Sequence, residues 1–186
     1  MLRANCDKIK KMDNEEKTIS SEVIFDGKVI HVRKDKVLCP NGNESYREIV
    51  DHHGGVGVLA FLDGKIPLVK QFRYAYKETL YEIPAGKLEK GEDPAEGGKR
   101  ELEEEVGYKA GSFEYLGRMY PTCGYTNEII YLYKAENLCK THTNLDEDEF
   151  VEVHWFTLEE IKKMVVEGKI VDAKTICALY LLENKY

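Results

Sequence analysis

Three glutamates, Glu101, Glu104 and Glu105, lie three and four residues apart in a segment whose composition favours a helix. At about 100° per residue they share one helical face, where like charges repel by about a few tenths of a kcal/mol per pair. A bound cation would reverse that repulsion, and hard cations such as Mg²⁺ bridge carboxylates to phosphates. The spacing therefore indicates a divalent-metal site, with a solvated glutamate-rich face as the plainer alternative.

The residues around these glutamates extend the pattern. Gly86 is followed after five residues by Glu92, and after seven more by the run Arg100-Glu101-Leu102-Glu103-Glu104-Glu105-Val106-Gly107-Tyr108. With average residue frequencies, the chance that all constrained positions match somewhere in such a chain is on the order of 10⁻⁷. The pattern resembles the Nudix box without a gap, so the chain is identified as similar to the Nudix hydrolases.

This resemblance implies an α+β Nudix fold, a mixed β-sheet sandwiched between helices, and strand patterns before the box add an N-terminal antiparallel sheet. It also implies Mg²⁺ or Mn²⁺ as cofactor, with roughly two or three ions per site. Glu101, Glu104 and Glu105 would be the metal ligands, while Arg100 and Glu92 would orient the loop and the carboxylates. Arg100 lies one turn before Glu104 and offers a forked donor. Its alternative role is a surface ion pair of little energetic value.

Outside the box, the chain is similar to the ADP-ribose pyrophosphatase branch from Lys17 onward. No single short segment carries the likeness; the order and separation of several do. These segments are residues 46–50, 71–73, 82–86, 120–128 and 146–153. The branch resemblance implies hydrolysis of ADP-ribose to AMP and ribose 5-phosphate by a homodimer.

The branch also implies roles for particular residues. The backbone carbonyl of Ala85 would join the metal ligands, since backbone oxygen suits hard cations. Arg73 would contact the phosphates and Arg47 would lie near the adenosine, because arginine can donate two hydrogen bonds to one phosphate. The remaining implied substrate contacts are Glu82, Thr122 and Glu128. Glu128 is alternatively a satisfied carboxylate at a strand edge.

By the same resemblance, the catalytic base comes from a mobile acidic loop after the box, which maps to residues 144–149. Glu149 aligns best as the base, and Glu147 is the alternative. An acidic run of this kind is often only a solvated turn. Cys123, in a predicted substrate segment, is interpreted as an ordinary thiol because no histidine stands at a spacing that would activate it.

The box leaves the substrate open. Another nucleoside diphosphate sugar, a dinucleotide such as NADH, or a nucleoside triphosphate would use the same chemistry. A non-catalytic Nudix ligand-binding module is the hypothesis from a different class. The presence of every box carboxylate argues against that module.

The box glutamates require a helix at residues 94–106, with Asp93 as N-cap, Pro94 at the first helical position and Gly107 at the end. A capping pair of Thr157 and Glu160 begins a second helix that ends near Gly168. Asp172 caps a third helix over residues 173–183.

Short β-type runs separated by turn signals predict the strands. Two hairpins lie at residues 20–50, and a buried central hairpin joins 56–62 to 66–72. Further strands are predicted at 80–83, 113–116, 129–133 and 151–156. The expected organisation is a leader at 1–17, N-terminal hairpins for dimerisation and the adenosine wall at 18–52, and the Nudix domain at 53–186.

Composition bounds the remaining possibilities. A net charge of -7 disfavours a nucleic-acid partner, and no apolar run approaches the length of a membrane span. The five cysteines are scattered without zinc-type spacing, which indicates reduced thiols. A cytoplasmic location is therefore expected, and the family resemblance implies a small nucleotide as the substrate.

Overall fold

The computed structural model describes residues 14–145 and 149–185. Its backbone contacts divide the chain between Asp51 and His52 into an N-terminal and a C-terminal unit. The alternative base Glu147 and most of the predicted leader, residues 1–13, lie outside the described residues.

The N-terminal unit is an antiparallel sheet of β1 (Lys17–Asp26), β2 (His31–Leu38) and β3 (Glu44–Asp51), in that order. The two predicted hairpins share β2, which pairs with β1 on one edge and with β3 on the other. Gly42 turns the chain between β2 and β3 at a φ of +83°, a conformation that favours glycine. Every residue of β1 is exposed, so this strand buries little apolar surface within the unit.

The described part of the C-terminal unit contains β4 (Gly55–Ala60), β5 (Lys65–Arg73), β6 (Glu78–Glu82), β7 (Ala85–Lys87), α1 (Pro94–Val106), β8 (Tyr108–Met119), β9 (Ile130–Lys140), β10 (Val151–Thr157), α2 (Leu158–Val166) and α3 (Ala173–Lys185). Its strands form two sheets, of order β10-β5-β6 and β7-β4-β9-β8. The first sheet is antiparallel, whereas the second is mixed because β4 pairs in parallel with β9.

The predicted central hairpin is wrong. Among the described residues, β4 and β5 meet at one isolated bridge between Leu62 and Lys65 and then enter different sheets. β4 is buried along its whole length, with β7 on one edge and β9 on the other. Two apolar strands joined by an Asp-Gly turn have the same local pattern whether or not they pair with each other, so the sequence could not distinguish these outcomes.

The mixed sheet is packed on both faces, and β4 shows how. Val56 and Val58 pack in a core cluster with Leu102 of α1, whereas Leu59 packs in a second cluster with Leu179 of α3. Successive side chains of a strand point to opposite faces of its sheet. The mixed sheet therefore lies between α1 and α3, as the predicted fold class requires.

Helix α1 begins and ends at the predicted residues. Asp93 accepts hydrogen bonds from the N–H groups of Ala95 and Glu96 at 2.9 and 3.2 Å, and Gly107 ends the helix at a φ of +79°. Leu102 is fully buried on the face that packs against the sheet. The box glutamates lie on the neighbouring face of the helix, where Glu101 and Glu105 are also buried.

The later helices also begin as predicted. Thr157 and Glu160 form a reciprocal capping box at the start of α2. Asp172 accepts hydrogen bonds from the backbone N–H and the hydroxyl of Thr175, at 3.0 and 2.6 Å, and so holds the first turn of α3. Within the described ranges, no helix has both the length and the apolar character that crossing a membrane requires.

Candidate active site

Arg100 gathers three of the box carboxylates. Its Nε and Nη2 donate to the two oxygens of Glu92 at 3.0 and 3.2 Å, and its Nη1 donates to Glu101 and Glu104 at 2.8 Å each. The hydrogen bonds to Glu92 are the largest cause of the raised pKa of Arg100, and Arg100 lowers the pKa of Glu92 in return. Arg100 thus ties the loop before α1 to two predicted metal ligands, and a network of this kind differs from an isolated surface ion pair.

Glu101 lies directly against the backbone of β7. A Cβ atom added to Gly86 would overlap the Glu101 carboxylate, which would then have to move away from this close approach. Burial is the main cause of the raised pKa of Glu101, while Arg100 opposes the shift and the charges of Glu104 and Glu149 add to it. The box glycine therefore has a steric role that fixes one predicted metal ligand.

Glu105 is the most enclosed carboxylate of the box, with 1% of its surface exposed. Its Oε2 accepts a hydrogen bond from the backbone N–H of Ala85 at 2.9 Å. Burial, reinforced by the charges of Glu101 and Glu149, raises the pKa of Glu105 to about 8, although the Ala85 N–H and the charge of Lys174 oppose the shift. The ionised form of Glu105 is thus poorly compensated by the protein alone.

Glu149, the predicted base, is half-buried just before β10. Its negative charge contributes to the raised pKa values of Glu101 and Glu105, which places it within electrostatic range of both. The chain approaching this loop is held on the C-terminal end of α1. The N–H of Asn144 donates to the carbonyl of Glu104 at 3.0 Å.

The carboxylates of the box are oxygen donors of the kind that a divalent metal binds. Within residues 14–145 and 149–185, no three acidic, histidine or cysteine side chains converge closely enough to hold a metal ion. Glu101 and Glu104 are instead drawn toward Arg100. The donor chemistry nevertheless fits, because the buried Glu105 has two carboxylates as electrostatic neighbours and Mg²⁺ prefers such oxygen ligands.

A second ion network surrounds Glu82, at the end of β6. Arg73 Nε and Nη2 donate to its two oxygens at 2.5 and 2.6 Å, and Lys174 Nζ also pairs with it. Burial pushes the pKa of Glu82 upward, but the hydrogen bonds and charges of Arg73 and Lys174 outweigh it and leave that pKa below its ordinary value. The network borders an open cleft of about 370 Å³ that is also lined by Tyr74 and Tyr76.

The sequence predicted roles for Arg73 and Glu82, whereas it gave no signal that Lys174 joins them in one network. Asp172, whose Oδ1 lies 2.9 Å from Lys174 Nζ, was predicted only as a helix cap. Lys174 gives no local signal because its main partner, Glu82, is 92 residues away along the chain. Only the docking of α3 beside β6 brings the two side chains together.

Arg47 lies in β3 of the N-terminal unit. Its guanidinium pairs with the carboxylate of Glu16, and its Nη1 donates to Ser45 Oγ at 3.1 Å. Its predicted position near the adenosine stays a prediction.

Glu128 and Thr122 are half-buried residues of the connection between β8 and β9. One Glu128 oxygen is 3.4 Å from Nδ1 of His52. That nitrogen accepts the N–H of Gly54 at 3.0 Å, so it is not also a donor to Glu128. Their predicted contacts with a substrate likewise stay predictions.

Replacing Glu105 with Gln should stabilise the protein in EDTA as the pH rises. A carboxyl whose pKa is raised on folding binds more protons folded than unfolded, so stability falls between about pH 4.5 and about pH 8. Gln keeps an acceptor for the Ala85 N–H and removes this loss. At about pH 8.5 the unfolding temperature of the variant should be about 3–8 °C above that of the wild type, which corresponds to a gain of about 1–3 kcal/mol in the free energy of unfolding. At about pH 4.5 the two unfolding temperatures should be nearly equal.

Thermal unfolding followed by circular dichroism at the two pH values measures this difference. Excess Mg²⁺ should narrow the gap at about pH 8.5, since the wild type gains more from the cation. A gap that is the same at both pH values would mean that Glu105 does not titrate differently in the folded and unfolded states.

Comparisons with known proteins agree with this geometry. The chain is 49% identical over 174 residues to an ADP-ribose pyrophosphatase of Bacillus subtilis, covering 92% of this chain and 94% of that protein. It is 46% identical over 172 residues to a methanol dehydrogenase activator of Bacillus methanolicus, covering 91% and 93% of the two chains. A crystal structure of an ADP compounds hydrolase shares the fold, with a TM-score of 0.82 at 18% identity, over 91% of this chain and 93% of that one.

Two family models divide the chain near the boundary between the two units. The nucleoside diphosphate sugar hydrolase N-terminal domain matches residues 16–50, and the NUDIX domain matches residues 51–178. The box at Gly86–Tyr108, with its helix, its buried carboxylates and its orienting arginine, lies inside the second match. The expected resemblance is therefore confirmed, and the chain belongs to the Nudix family.

Proposed function

We propose that this protein hydrolyses the diphosphate linkage of ADP-ribose, giving AMP and ribose 5-phosphate, with a divalent metal as cofactor. The observation that carries the proposal is the buried carboxylate of Glu105, whose charge the protein compensates poorly. This carboxylate contacts one end of a short chain segment, and the other end of that segment orients Arg73. The 49% identical relative named as an ADP-ribose pyrophosphatase supports the choice of substrate.

Glu101, Glu104, Glu105 and the Ala85 carbonyl are the proposed holders of Mg²⁺ or Mn²⁺. When bound, such ions neutralise a diphosphate and act as Lewis acids. Arg100 and Glu92 then orient the ligands, since Arg100 already contacts Glu101 and Glu104 through one nitrogen. The acidic protein needs this help, because its carboxylates alone repel an anionic substrate.

The substrate contacts are proposed on both sides of the diphosphate. Arg73 binds the phosphates with the N–H groups that Glu82 leaves unused, because guanidinium matches phosphate geometry. Arg47, Thr122 and Glu128 are the proposed contacts to the rest of the nucleotide.

Glu149 is the proposed general base that accepts a proton from the attacking water. Its position before β10 and its electrostatic coupling to Glu101 and Glu105 support this role. A base on a connecting segment can approach the reacting atoms when substrate binds.

Similarity alone leaves other substrates open. Another nucleoside diphosphate sugar, NADH or a nucleoside triphosphate would present the same reacting linkage to the same carboxylates. The name of the 46% identical relative describes activation of a dehydrogenase and not a substrate. A non-catalytic module is disfavoured because every box carboxylate is present.

We also propose that the protein is a homodimer in the cytoplasm. Apolar side chains of β1, among them Val23 and Phe25, are exposed by 70% and 54%, which is typical of an interaction surface. Four of the cysteines carry free thiols in the described residues, which suits a reducing compartment.

A panel of substrates tests the proposed reaction. With Mg²⁺, ADP-ribose should exceed ADP-glucose, NADH and a deoxynucleoside triphosphate in kcat/KM by about tenfold or more, equivalent to about 1.4 kcal/mol of transition-state binding. Turnover should vanish in EDTA and return with excess Mg²⁺. A preference for the triphosphate would refute the substrate, and full turnover in EDTA would refute the metal.

Two variants of the acidic loop test the base. Glu149→Gln should lower kcat by roughly two to four orders of magnitude with little change in KM, because only proton transfer is lost. The matched control, Glu147→Gln, should cost far less at saturating Mg²⁺. If Glu147→Gln is the variant that loses activity, Glu147 and not Glu149 is the base.

A charge placed on β1 tests the dimer. Val23→Lys should shift the mass measured by light scattering from about twice 21.4 kDa to 21.4 kDa, because a buried lysine at an interface is costly. Val166→Lys is the control, since Val166 is 88% exposed on α2. Equal masses for wild type and Val23→Lys would exclude β1 from any interface.

A further inference from the structure

A chain of polar contacts runs from the open cleft into the core of the C-terminal unit. Arg73, at the cleft, is 38% exposed in its side chain, whereas its partner Glu82 is 3% exposed and Lys174 11%. Lys174 Nζ also donates to Asp172 Oδ1 at 2.9 Å, and Asp172 Oδ2 accepts a hydrogen bond from the hydroxyl of Thr175 at 2.6 Å. Thr175 is fully buried, so the inner end of the chain is fixed by the core.

The orientation of Arg73 leaves part of its guanidinium for a ligand. Glu82 accepts from Nε and Nη2 at 2.5 and 2.6 Å, which uses two of the five N–H donors that a guanidinium carries. The side chain also borders the cleft. A phosphate is the ligand that matches the remaining planar donors.

The charges of this network balance only because Lys174 is present. Two cations, Arg73 and Lys174, face two carboxylates, Glu82 and Asp172. A buried carboxylate must be neutralised by a nearby positive charge, so without Lys174 the charge of Arg73 alone would have to neutralise Glu82. With Lys174 in place, Glu82 is shared, and Arg73 keeps net attraction for an anion in the cleft.

The network adjoins the predicted metal ligands. Glu82 is followed after two residues by Ala85, whose N–H donates to Glu105. Between them, the N–H of Ile83 donates to Thr175 Oγ1 at 2.9 Å, which fixes this segment to α3. The charge of Glu105 also acts on Arg73, so an anion held by Arg73 would lie within electrostatic range of this box carboxylate.

We propose that Lys174 is a positioning residue for the substrate diphosphate: by sharing the buried Glu82 carboxylate, it leaves the outer edge of Arg73 charged and oriented for a phosphate. The proposal rests on the proposed function, because it assigns the cleft to the same anionic substrate. It adds a residue of α3 to the part of the site that Arg73 of β5 and Glu82 of β6 form.

Variants of opposite charge test the proposal. Lys174→Met makes the network more negative and should raise KM for ADP-ribose by roughly tenfold with kcat within about threefold, while Lys174→Arg should restore KM to within about threefold. Asp172→Asn makes the network more positive and keeps a good helix cap, so it should lower KM by about two- to fivefold. A merely structural defect would weaken binding in both directions.

Titration of adenosine 5′-(α,β-methylene)diphosphate into the Mg²⁺-loaded proteins separates this proposal from the choice of substrate. The Kd should increase in the order Asp172→Asn, wild type, Lys174→Met, even if ADP-ribose proves not to be the substrate. Lys134→Met, which removes another ion-paired lysine with an 18% exposed side chain, should leave Kd within about twofold of the wild type. An unchanged Kd in Lys174→Met, weaker binding in both charge variants, or no binding to the wild type would overturn the proposal.

Discussion

Two buried carboxylates, Glu82 and Glu105, are linked through the segment that runs from Glu82 to Ala85, but their pKa values are shifted in opposite directions. Arg73 and Lys174 contact Glu82 and hold its pKa below the ordinary value despite burial. Burial and neighbouring negative charges raise the pKa of Glu105 to about 8. A buried charge must be compensated, and here the protein compensates Glu82 fully, whereas the Ala85 N–H and the charge of Lys174 compensate Glu105 only in part. This difference divides the site into a part that orients an arginine and a part suited to metal.

The short segment from Glu82 to Gly86 connects the two parts, and much of the fold serves to hold it. Its Ile83 N–H is anchored to Thr175, and its Pro84 carbonyl accepts the N–H of Val58 at 2.9 Å. Gly86 then allows Glu101 to lie against the backbone. Strand pairing on one side and α3 on the other therefore fix the relative positions of groups that come from distant parts of the sequence.

Helix α1 tolerates the repulsion between its glutamates because its N-terminal cap and its buried apolar residues stabilise it by more than that repulsion costs. Repulsion between neighbouring glutamates costs about a few tenths of a kcal/mol per pair, whereas the Asp93 cap contributes about 1 kcal/mol. Burying Leu102 against the sheet adds about 1.5–3 kcal/mol, and Arg100 relieves part of the repulsion directly. The helix can thus present carboxylates to a ligand on one face while the other face secures it to the core.

The sequence by itself determined the box, the ends of α1 and the starts of α2 and α3, because caps, turns and carboxylate spacing act over a few residues. It did not determine that β4 and β5 separate into different sheets, since two apolar strands joined by an Asp-Gly turn have the same local pattern in either arrangement. Nor did it reveal Lys174, whose partner Glu82 is 92 residues away. Burial and charge compensation depend on which elements pack together, so the electrostatic difference between Glu82 and Glu105 was decided only by the tertiary structure.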